Sequence, residues 1–374
     1  MKILYYVGTG SNKFGGLEKF NMELIRQLEI TDSGIELAVA YKRPVSCKEF
    51  ADFLHKKRIN TYILYDSFDL SRNNLFRTAK EFLRIFRTER PNVIHMNFGN
   101  SIEMLAIRLL TLFRGVKIIR TEHCQVSIDS KRRYLVYKLI NALSSRILCV
   151  SQAITRSIND GIGSHKAQTL YLGVPDRRYD KTESRQKLNL PLDKVIICNI
   201  AYHDRVKGVD VLIRVIDYLK NTLGQTDFMV LQIGGAPFKE QASELQELLG
   251  KTDLSDAIEF WGIRNDIDVI LSAADIYCQP SRSEGIPLSI MEASIAGLPI
   301  VATNVGGIPE AAREGINALL SDSEDYVSIA ENLQKLIIDP ARRAEMGRKG
   351  REFALQDFAI ECQAARLLAI YKQL

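Results

Sequence analysis

Residues 274–304 read ADIYCQPSRSEGIPLSIMEASIAGLPIVATN, and the pattern of this stretch decides the fold. The apolar run 274–278 is typical of a buried strand, and residues 279–285 follow as a loop at its carboxyl end. Apolar residues recur at helical spacing over 289–297, and a second apolar run, 299–304, predicts the next strand. A strand, a helix and a strand in this order predict a parallel α/β sheet, in which ligands bind outside the carboxyl ends of the strands.

Two glutamates lie in this stretch, Glu284 in the loop and Glu292 eight positions later in the helix. Free backbone amides at the start of a helix favour an anion such as a diphosphate. A carboxylate only accepts hydrogen bonds, so hydroxyl-rich groups are its natural partners. A diphosphate beside such groups describes a nucleotide sugar, which we expect as the ligand. For the two carboxylates taken alone, the alternative is a pair of solvated surface glutamates.

The size and composition indicate a two-domain globular protein. The chain has 374 residues, more than one hydrophobic core usually supports, and it is 46% apolar and 25% charged. The six cysteines form no C-x-x-C pair, a pattern typical of reduced cytoplasmic cysteines. The sequence shows no signal-peptide pattern and no run of eighteen apolar residues, so we expect a cytoplasmic protein without membrane spans.

Short apolar runs alternate with helical patterns through most of the chain, which predicts βαβ units and parallel sheets. Strands are predicted at 3–7, 35–41, 59–65, 92–96, 116–121, 146–150, 169–174, 195–201, 228–234, 257–262, 274–279 and 299–304. Residues 175–194 are polar and contain two prolines, so they are predicted to form an interdomain linker. From Asp325 onward the chain is predicted to be helical.

The spacing of Glu284 and Glu292, followed by AGLPIVATNVGGIPE at 296–310, resembles the E-x7-E signature of retaining GT-B glycosyltransferases of the group 1 or family 4-like type. This resemblance covers most of the chain. It implies an α/β fold of two Rossmann-like, doubly wound domains, with a cleft between them and a C-terminal helix that crosses back. The implied domains are an acceptor-binding domain at 1–180, to which the helix 357–374 returns, and a nucleotide-sugar donor-binding domain at 181–356.

Arg205 and Lys207 stand in the turn RVKG, between a predicted strand and a helix that begins at Val209. Cations at such a turn are well placed to hold a diphosphate. The resemblance assigns Lys207 as the phosphate lysine. The family often carries Gly-Arg five or six residues earlier, where this chain has Ala201 and Tyr202. Two possibilities follow for the missing arginine: Arg205 replaces it, or no residue does.

Paired glycines, Gly15 and Gly16, link the first predicted strand to the first helix and permit close approach of a ligand to backbone amides. A dinucleotide fingerprint is excluded, because Lys13 stands where its third glycine belongs and strand 35–41 ends in two cations. In the resembling family this loop contacts the donor diphosphate or the acceptor. Gly16 is therefore a candidate donor-binding residue.

Two histidines end predicted strands of the N-terminal half, His95 in VIHMN and His123 in IIRTEHC. The resemblance assigns His123 as the active-site histidine that contacts the transferring sugar. A hydrogen-bonded core histidine is the alternative for both, and it carries more weight for His95.

The resemblance also assigns roles within the donor-binding domain. Glu284 would hold the sugar hydroxyls, Glu292 the ribose hydroxyls, and Lys207 with Arg205 would neutralise the leaving diphosphate. The backbone at the helix start would add to the diphosphate site, and the backbone of residues 262–264 would meet the nucleotide base. The candidate residues of these two backbone segments are Gly285, Ile286, Pro287, Leu288, Gly262 and Arg264.

One pattern suggests a metal site but is interpreted otherwise. Asp266 and Asp268 match the D-x-D of metal-dependent transferases, yet they open a predicted helix, so we interpret them as N-terminal helix charge. No cluster of His, Cys and Asp has metal-ligand spacing. Neither a metal nor a cofactor is expected, since the nucleotide sugar is a substrate.

The predicted function is a retaining, metal-independent glycosyltransferase with a nucleoside-diphosphate-sugar donor and a glycan acceptor. The resemblance implies front-face attack, with the leaving phosphate accepting the acceptor's proton, because no second carboxylate is placed for double displacement. A nucleotide-sugar 2-epimerase of GT-B fold is the alternative enzyme, and a catalytically silent sugar-binding scaffold is a third interpretation. The base, the sugar and the acceptor depend on contacts outside these motifs.

The net charge is divided unevenly along the chain. Residues 1–180 carry 29 Lys and Arg against 17 Asp and Glu, a net +12, and residues 181–374 carry 21 against 28, a net −7. Basic segments at 42–58, 72–90 and 131–134 are typical of amphipathic elements on anionic membranes. The alternative is core-facing helices with a solvated basic side. Our hypothesis is a peripheral enzyme whose first domain docks on the inner leaflet and extends a lipid-linked glycan in bacterial surface-polysaccharide synthesis. No nucleic-acid partner is expected.

Overall fold

The computed structural model describes residues 1–8, 16–32, 34–42, 48–64, 72–97, 101–111, 114–124, 130–163, 165–235 and 239–374. The chain forms two compact units, one of Met1–Gly173 with Ile360–Leu374 and the other of Val174–Ala359. The sequence predicted domain boundaries after residue 180 and before residue 357.

The first unit is a parallel sheet with helices between successive strands. Its strands are β1 Lys2–Val7, β2 Glu36–Tyr41, β3 Asn60–Ile63, β4 Val93–Asn97, β5 Lys117–Glu122, β6 Arg146–Cys149 and β7 Ala167–Thr169. Its helices include α1 Gly16–Thr31, α2 Lys48–Lys56, α3 Arg72–Glu89, α4 Ser101–Thr111, α5 Lys131–Leu143 and α6 Gln152–Ile162. The strand order is β3-β2-β1-β4-β5-β6-β7, and all of these pairs are parallel. The order reverses between β1 and β4, which is the arrangement of a doubly wound sheet.

Burial on both faces explains the composition of these strands. Helices cover both faces of a doubly wound sheet, so successive side chains on its central strands meet apolar neighbours, whereas the edge strand β3 is largely exposed. In β1 every residue from Ile3 to Val7 is buried, and Leu4 and Tyr6 share an apolar core with Ile94 of β4. Such strands appear in the sequence as continuous apolar runs rather than as alternating patterns.

The second unit has the same architecture. Its strands are β8 Val195–Ile200, β9 Phe228–Ile233, β10 Ile258–Gly262, β11 Ile276–Gln279, β12 Ile300–Thr303 and β13 Ala318–Ser321. Its helices are α7 Lys181–Lys187, α8 Val209–Asp217, α9 Lys239–Gly250, α10 Ile267–Ala273, α11 Leu288–Ile295, α12 Ile308–Ala311, α13 Tyr326–Ile337 and α14 Pro340–Phe358, with a 3-10 turn at Arg205–Lys207 and a π-helical turn at Tyr218–Thr222. The parallel strands follow the order β10-β9-β8-β11-β12-β13, which reverses between β8 and β11.

The last helix, α15 Ile360–Lys372, belongs to the first unit and packs beside α1. Tyr371 is buried there, and its hydroxyl lies 2.6 Å from Nδ1 of His95 in β4. The backbone at Ala359 has a ψ of 134°, which separates α14 from α15. The C-terminal helix therefore begins later than the predicted 357–374.

Two strands differ from the sequence prediction. The strand predicted at 169–174 is β7, which ends at Thr169, although Leu172 and Val174 beyond it are also buried. Burial rather than strand pairing therefore explains the apolar run that followed β7. The strand β13, Ala318–Ser321, was not predicted from the sequence.

The prediction of a linker over 175–194 is wrong for its central part, which forms α7. Arg185 on this helix is only 6% exposed. Its guanidinium pairs with Asp275, and its Nε donates to the carbonyl oxygen of Ala273 at 2.9 Å. Further donors reach the carbonyl oxygens of Pro191, Leu192 and Lys194, each at 3.2 Å. The segment is therefore bound into the second unit.

We expect Arg185→Ala to lower the free energy of unfolding of the second unit by about 1–3 kcal/mol, because several buried carbonyl groups lose their donor, while Asp275 keeps Lys181 and the amide of Ile196. Urea unfolding followed by the fluorescence of Trp261, the single tryptophan of the chain, measures this change. Lys187→Ala, an exposed change on the same helix, should stay within about 0.5 kcal/mol of the parent. Equal losses in the two variants would contradict the anchoring role.

Candidate active site

The carboxyl ends of four strands in the second unit carry buried polar side chains. These are Asn199 of β8, Gln232 of β9, Gln279 of β11 and Thr303 of β12, each at most 1% exposed. A buried polar group left without a partner costs about 1–3 kcal/mol, so such a row has to be satisfied by neighbouring groups. Strands β8 and β11 flank the point where the strand order reverses, and ligands of doubly wound sheets bind beside such a point.

An ion pair joins the loops that follow these two strands. Lys207 lies in the 3-10 turn after β8, and its Nζ is 2.7 Å and 2.9 Å from the carboxylate oxygens of Glu284, in the loop after β11. The Glu284 side chain is 8% exposed and that of Lys207 is 29% exposed. Gly208 permits this approach, because its φ is +68° and a Cβ there would lie 2.0 Å from the carbonyl oxygen of Pro280.

Two further side chains donate to the same carboxylate. Oε1 of Glu284 accepts from Nε2 of Gln279 at 2.8 Å and from Oγ of Ser281 at 2.9 Å, besides the contact with Lys207. The carbonyl oxygen of Glu284 accepts from the amide of Gly307 at 3.2 Å. Bonds to both the side chain and the main chain therefore fix where this carboxylate lies and where it points.

Arg282 binds three segments of the second unit together. Its guanidinium makes two hydrogen bonds to Asp210, in the first turn of α8, at 2.8 Å and 2.7 Å, and it also pairs with Glu324. It donates in addition to the carbonyl oxygen of Arg205. Hydrogen bonds to these two acids raise the pKa of Arg282 above its usual range. A permanent cation therefore holds the turn that carries Lys207.

The start of α11 has backbone donors but no side-chain cap. Pro287 is the N-cap residue, and its side chain makes no cap hydrogen bond. The first amides of a helix have no intrahelical partner and favour an anion. Around this start Gly285 and Leu288 are partly exposed, whereas Ile286 and Pro287 are buried. Glu292, partly exposed, lies one turn beyond Leu288.

Arg205 lies in the same 3-10 turn as Lys207 but has different surroundings. It is exposed and lines an open pocket of about 460 Å³ together with Arg214 of α8 and Glu244 of α9. The described lining of this pocket includes neither Lys207 nor Glu284. The side chain of Arg205 therefore lines this pocket, whereas that of Lys207 is bound to Glu284.

The segment after β10 presents its backbone rather than the side chain of Arg264. Gly262 has a φ of +64°, and its carbonyl oxygen accepts from the amide of Gly234 at 2.8 Å. The guanidinium of Arg264 is bound to Asp266 at 2.8 Å and 2.6 Å and lies 5.2 Å above the ring of Trp261. This side chain is engaged locally, so the backbone is the part of the segment suited to a ligand.

Two of the residues predicted in the first unit lie beside its strands. Gly16 is the exposed first residue of α1, whereas Gly15 lies outside the described residues. His123 follows β5, and its Nε2 is 3.3 Å from Oδ1 of Asn97, the last residue of β4. Burial lowers the pKa of His123 to about 3, so its ring is neutral near pH 7.

His95 is a core histidine, as the alternative interpretation holds. It is 2% exposed and lies between the hydroxyls of Tyr371 and Thr121, each 2.6 Å from a ring nitrogen. Burial, with a smaller contribution from His123, lowers the pKa of His95 to about 3. Both ring nitrogens are engaged with protein groups.

Several residues of the Lys207–Glu284 cluster were missed in the sequence. A usable signal existed for Gln279 and Thr303, because each is a polar residue that closes an apolar run, and for Asn199 and Gln232, each of which is the second-last residue of such a run. Arg282 gave no such signal, since its partner Asp210 stands 72 residues away. Glycines and glutamates form recognisable motifs, whereas a single arginine in a loop does not.

Two family models match the chain. The model described as Glycosyltransferase Family 4 matches residues 14–178, and the model described as Glycosyl transferases group 1 matches residues 180–353. The chain belongs to the group 1 glycosyltransferases. It is therefore a glycosyltransferase enzyme.

The named relatives have low sequence identity to this chain. The chain is 22% identical to the N-acetyl-alpha-D-glucosaminyl L-malate synthase of Bacillus anthracis, over 85% of this chain and 83% of that protein. It is 31% identical to the GDP-mannose-dependent monoacylated alpha-(1-6)-phosphatidylinositol monomannoside mannosyltransferase of Corynebacterium glutamicum, over 59% of this chain and 60% of that protein.

Solved structures share the fold across the whole chain. HepE of Anabaena, in complex with UDP and glucose, has a TM-score of 0.83 at 18% identity and covers 100% of both chains. WaaG, a glycosyltransferase involved in lipopolysaccharide biosynthesis, has a TM-score of 0.74 at 15% identity and covers 99% of both. At these identities the likeness shows the fold alone, and this confirms the predicted GT-B fold of two Rossmann-like domains.

Neither a cluster of metal-ligating side chains nor a membrane-spanning helix is present among the described residues. No group of three or more His, Cys, Asp and Glu in that part of the chain is placed to hold a metal ion. None of the described helices is long and apolar enough to cross a membrane. Asp266 and Asp268 lie at the start of α10, where their charge was predicted to serve the helix N-terminus.

The buried histidines make the first unit sensitive to acid. Because the pKa of His95 is lowered in the folded state, the unfolded chain binds the proton first as the pH falls below about 6.5. The histidine's contribution to stability is therefore complete above pH 6.5 and is lost as the pH falls towards 3. The expected loss is about 1.4 kcal/mol per pH unit for this group.

His95→Gln removes this titration, so the stability of the variant should fall less steeply than that of the parent between about pH 6 and 4. Urea unfolding followed by far-ultraviolet circular dichroism at each pH measures both slopes. The difference between the slopes, rather than the stability at pH 7, carries the prediction, because Gln also alters the hydrogen bonds to Tyr371 and Thr121. Parallel slopes would show that His95 titrates alike in the folded and unfolded chain.

Proposed function

We propose that this glycosyltransferase takes its sugar from a nucleoside-diphosphate sugar bound at the carboxyl ends of β8 and β11. The observation that carries the proposal is the Lys207–Glu284 pair at the reversal of strand order, in the same unit as the uncapped start of α11. A cation and a helix N-terminus suit a diphosphate, and the carboxylates of Glu284 and Glu292 suit sugar and ribose hydroxyls. The UDP complex of HepE supports the same class of donor.

Negative charge on the leaving diphosphate is the main electrostatic problem of the transfer. An ammonium group has three donors, and the carboxylate oxygens of Glu284 take two, so Lys207 keeps one for a phosphate oxygen. The amides at the start of α11 add the positive end of the helix dipole. Together these groups stabilise the charge that grows as the bond between sugar and phosphate breaks.

We propose that the anomeric configuration is retained through attack from the face of the leaving phosphate, which accepts the acceptor's proton. The three donors on Oε1 of Glu284 engage its lone pairs and weaken it as a nucleophile, which argues against double displacement. His123, neutral near pH 7, would contact the sugar, and Gly16 the donor diphosphate or the acceptor. We propose that no metal ion takes part, so turnover should survive EDTA.

We propose a lipid-linked glycan as the acceptor, on the cytoplasmic side of a bacterial inner membrane and in surface-polysaccharide synthesis. The mannosyltransferase relative is named for a phosphatidylinositol mannoside, and WaaG for lipopolysaccharide biosynthesis. The net charge of +12 over residues 1–180, from 29 cations and 17 acids, favours an anionic surface. A nucleotide-sugar 2-epimerase stays the alternative, and it would convert the donor without any acceptor.

The segment at 72–90 does not supply an apolar membrane face in its described part. Phe82, Ile85 and Phe86 of α3 are buried in the core of the first unit. The alternative of a core-facing helix with a solvated basic side therefore holds for α3. The prediction that this helix presents its apolar face to a membrane is wrong for these residues.

The helix α5 offers a better surface for a membrane. Leu135 and Leu139 lie one turn apart and are 63% and 48% exposed. Lys131, Arg132 and Lys138 are also exposed and border the two leucines at helical spacings of three and four residues. The helix contains no acidic residue. We propose that this face of α5 lies on anionic lipid, since leucines enter the headgroup region and cations pair with the headgroups.

We expect Glu292→Gln to weaken nucleotide binding by roughly ten- to a hundredfold, because an amide replaces a carboxylate that accepts from ribose hydroxyls.

Lys207→Ala should reduce turnover more than it reduces stability, because its charge opposes that of the leaving diphosphate. Calorimetry with UDP, GDP and ADP, and transfer assays with and without acceptor, measure both effects. Glu331→Gln, an exposed change on α13, is the matched control. Unchanged nucleotide affinity in Glu292→Gln would remove this residue from the site.

The surface of α5 is tested by co-sedimentation with vesicles. Binding should require phosphatidylglycerol in the vesicle and weaken at high salt, because each cation near an anionic surface contributes about 1 kcal/mol. Replacing Lys131, Arg132 and Lys138 with Gln should reduce binding by at least roughly tenfold on the same scale. Leu135→Gln with Leu139→Gln should reduce it at every salt concentration.

The control for the leucine variants is Ile338→Gln in the second unit, where the isoleucine is 65% exposed. It should bind vesicles like the parent. Vesicle binding that ignores anionic lipid, or that survives both α5 variants, would exclude this face as the docking surface.

A further inference from the structure

Gln279 lies between the buried interior of the second unit and the proposed donor site. It is the last residue of β11 and only 1% exposed. Its Oε1 is 2.7 Å from the hydroxyl of Tyr277 and 3.0 Å from that of Ser289. Its Nε2 is 2.8 Å from Oε1 of Glu284 and 3.1 Å from Oγ of Ser281. All four positions that a primary amide uses for hydrogen bonding are therefore engaged.

Chemistry fixes the orientation of this amide. A carboxylate accepts and never donates, so the end of Gln279 that faces Glu284 has to be the NH2 group. The opposite end is then the carbonyl oxygen, and it meets two hydroxyls, each of which can donate. Tyr277 is fully buried, so its hydroxyl hardly competes with solvent for this bond. The carbonyl end of the amide is thus held by Tyr277 and Ser289, and its NH2 end donates only towards Glu284 and Ser281.

We propose that Gln279 is a positioning residue for transfer, which aims the carboxylate of Glu284 through the relay Tyr277–Gln279–Glu284. The inference rests on the proposed function, in which Glu284 holds the sugar. Glu284 lies in a loop, where a side chain is free to rotate. A carboxylate that rotates away from its productive orientation lowers the rate of transfer. Lys207, which also holds Glu284, is assigned to the diphosphate as well, whereas the four hydrogen bonds of Gln279 all go to protein groups. The relay thus restrains Glu284 while Lys207 serves the leaving group.

A residue that positions Glu284 should affect sugar transfer but not nucleotide binding. The hydrogen bonds described for Gln279 go to side chains, Ser289 of α11 among them, and none of them goes to the helix-start amides that suit the diphosphate. Gln279→Met keeps the length of the side chain but removes both hydrogen-bonding ends. It should lower kcat by roughly tenfold or more, on the scale of one charge-assisted hydrogen bond, while the Kd of the nucleoside diphosphate changes by less than about threefold. Tyr277→Phe, remote from any ligand, should act in the same direction with a smaller effect.

A double-mutant cycle with Glu284→Gln tests whether the effect passes through Glu284. In the parent, Gln279→Met should lower kcat by roughly tenfold, whereas in the Glu284→Gln background it should cost less than about threefold. Gln232→Met is the matched control, because Gln232 is also a buried glutamine at a strand end but binds His203 and Ala201 instead. Its effect should be the same in both backgrounds.

The same cycle is measured on the free energy of unfolding, with Trp261 fluorescence as the signal, and this readout needs no substrate. The exchange Gln279→Glu with Glu284→Gln restores a hydrogen bond with donor and acceptor reversed, so it should recover stability but not kcat. Additive effects of Gln279→Met and Glu284→Gln on both kcat and unfolding would overturn the proposal. So would an exchanged variant with parental kcat.

Failure of the proposed function has a different signature. If the parent protein transfers no sugar from any nucleotide sugar, the donor assignment is wrong, whatever the cycle shows. The unfolding cycle then still decides whether Gln279 and Glu284 are coupled. Additive unfolding effects would overturn the relay in that case, and a coupling of more than about threefold in the unfolding equilibrium constant would support it.

Discussion

The ion pair between Lys207 and Glu284 is the interaction on which the functional surface of the second unit depends. It joins residues 77 positions apart in the chain, in the loops after β8 and β11. The Glu284 side chain is 8% exposed, and a carboxylate so nearly removed from water needs charged and hydrogen-bonded partners. Lys207, Gln279 and Ser281 supply them. The partners therefore determine where the carboxylate of Glu284 points.

The geometry of a parallel sheet explains why these partners are available. Every strand of the second unit runs the same way, so the loops that leave the carboxyl ends share one edge of the sheet. At this edge the apolar strands give way to Asn199, Gln232, Gln279 and Thr303, which remain buried but find partners in neighbouring loops. Arg282 adds a clamp between α8 and the turn that carries Lys207. Hydrogen-bonded polar side chains thus extend from the buried strand ends to the loops that carry Lys207 and Glu284.

Much of the fold was predictable because it depends on burial. Continuous apolar runs located twelve of the thirteen strands to within a few residues, except that the run at 169–174 extends past β7, and the four-residue β13 was missed. The predicted linker concealed α7, because the charge of Arg185 looked like solvent exposure although the side chain is buried against Asp275. The basic segment at 72–90 was misinterpreted in the opposite way. Its apolar face was predicted to lie on a membrane, but Phe82 and Phe86 are buried in the core. Composition shows which residues are polar or apolar but not which of them are covered.

The sequence by itself determined the fold class and the family resemblance, and it named Lys207, Glu284 and Glu292 as candidates, because these follow from local patterns of burial and from motifs with fixed spacing. Only the tertiary structure decided that Lys207 and Glu284 are paired, that Gln279 holds Glu284 and Arg282 holds the turn of Lys207, and that Arg205 lines an open pocket beside α8. It also decided that His95 is a core residue. Such contacts join segments tens of residues apart, and their geometry exists only once the strands are aligned in the sheet. A local pattern carries no information about a partner that folding brings from elsewhere in the chain.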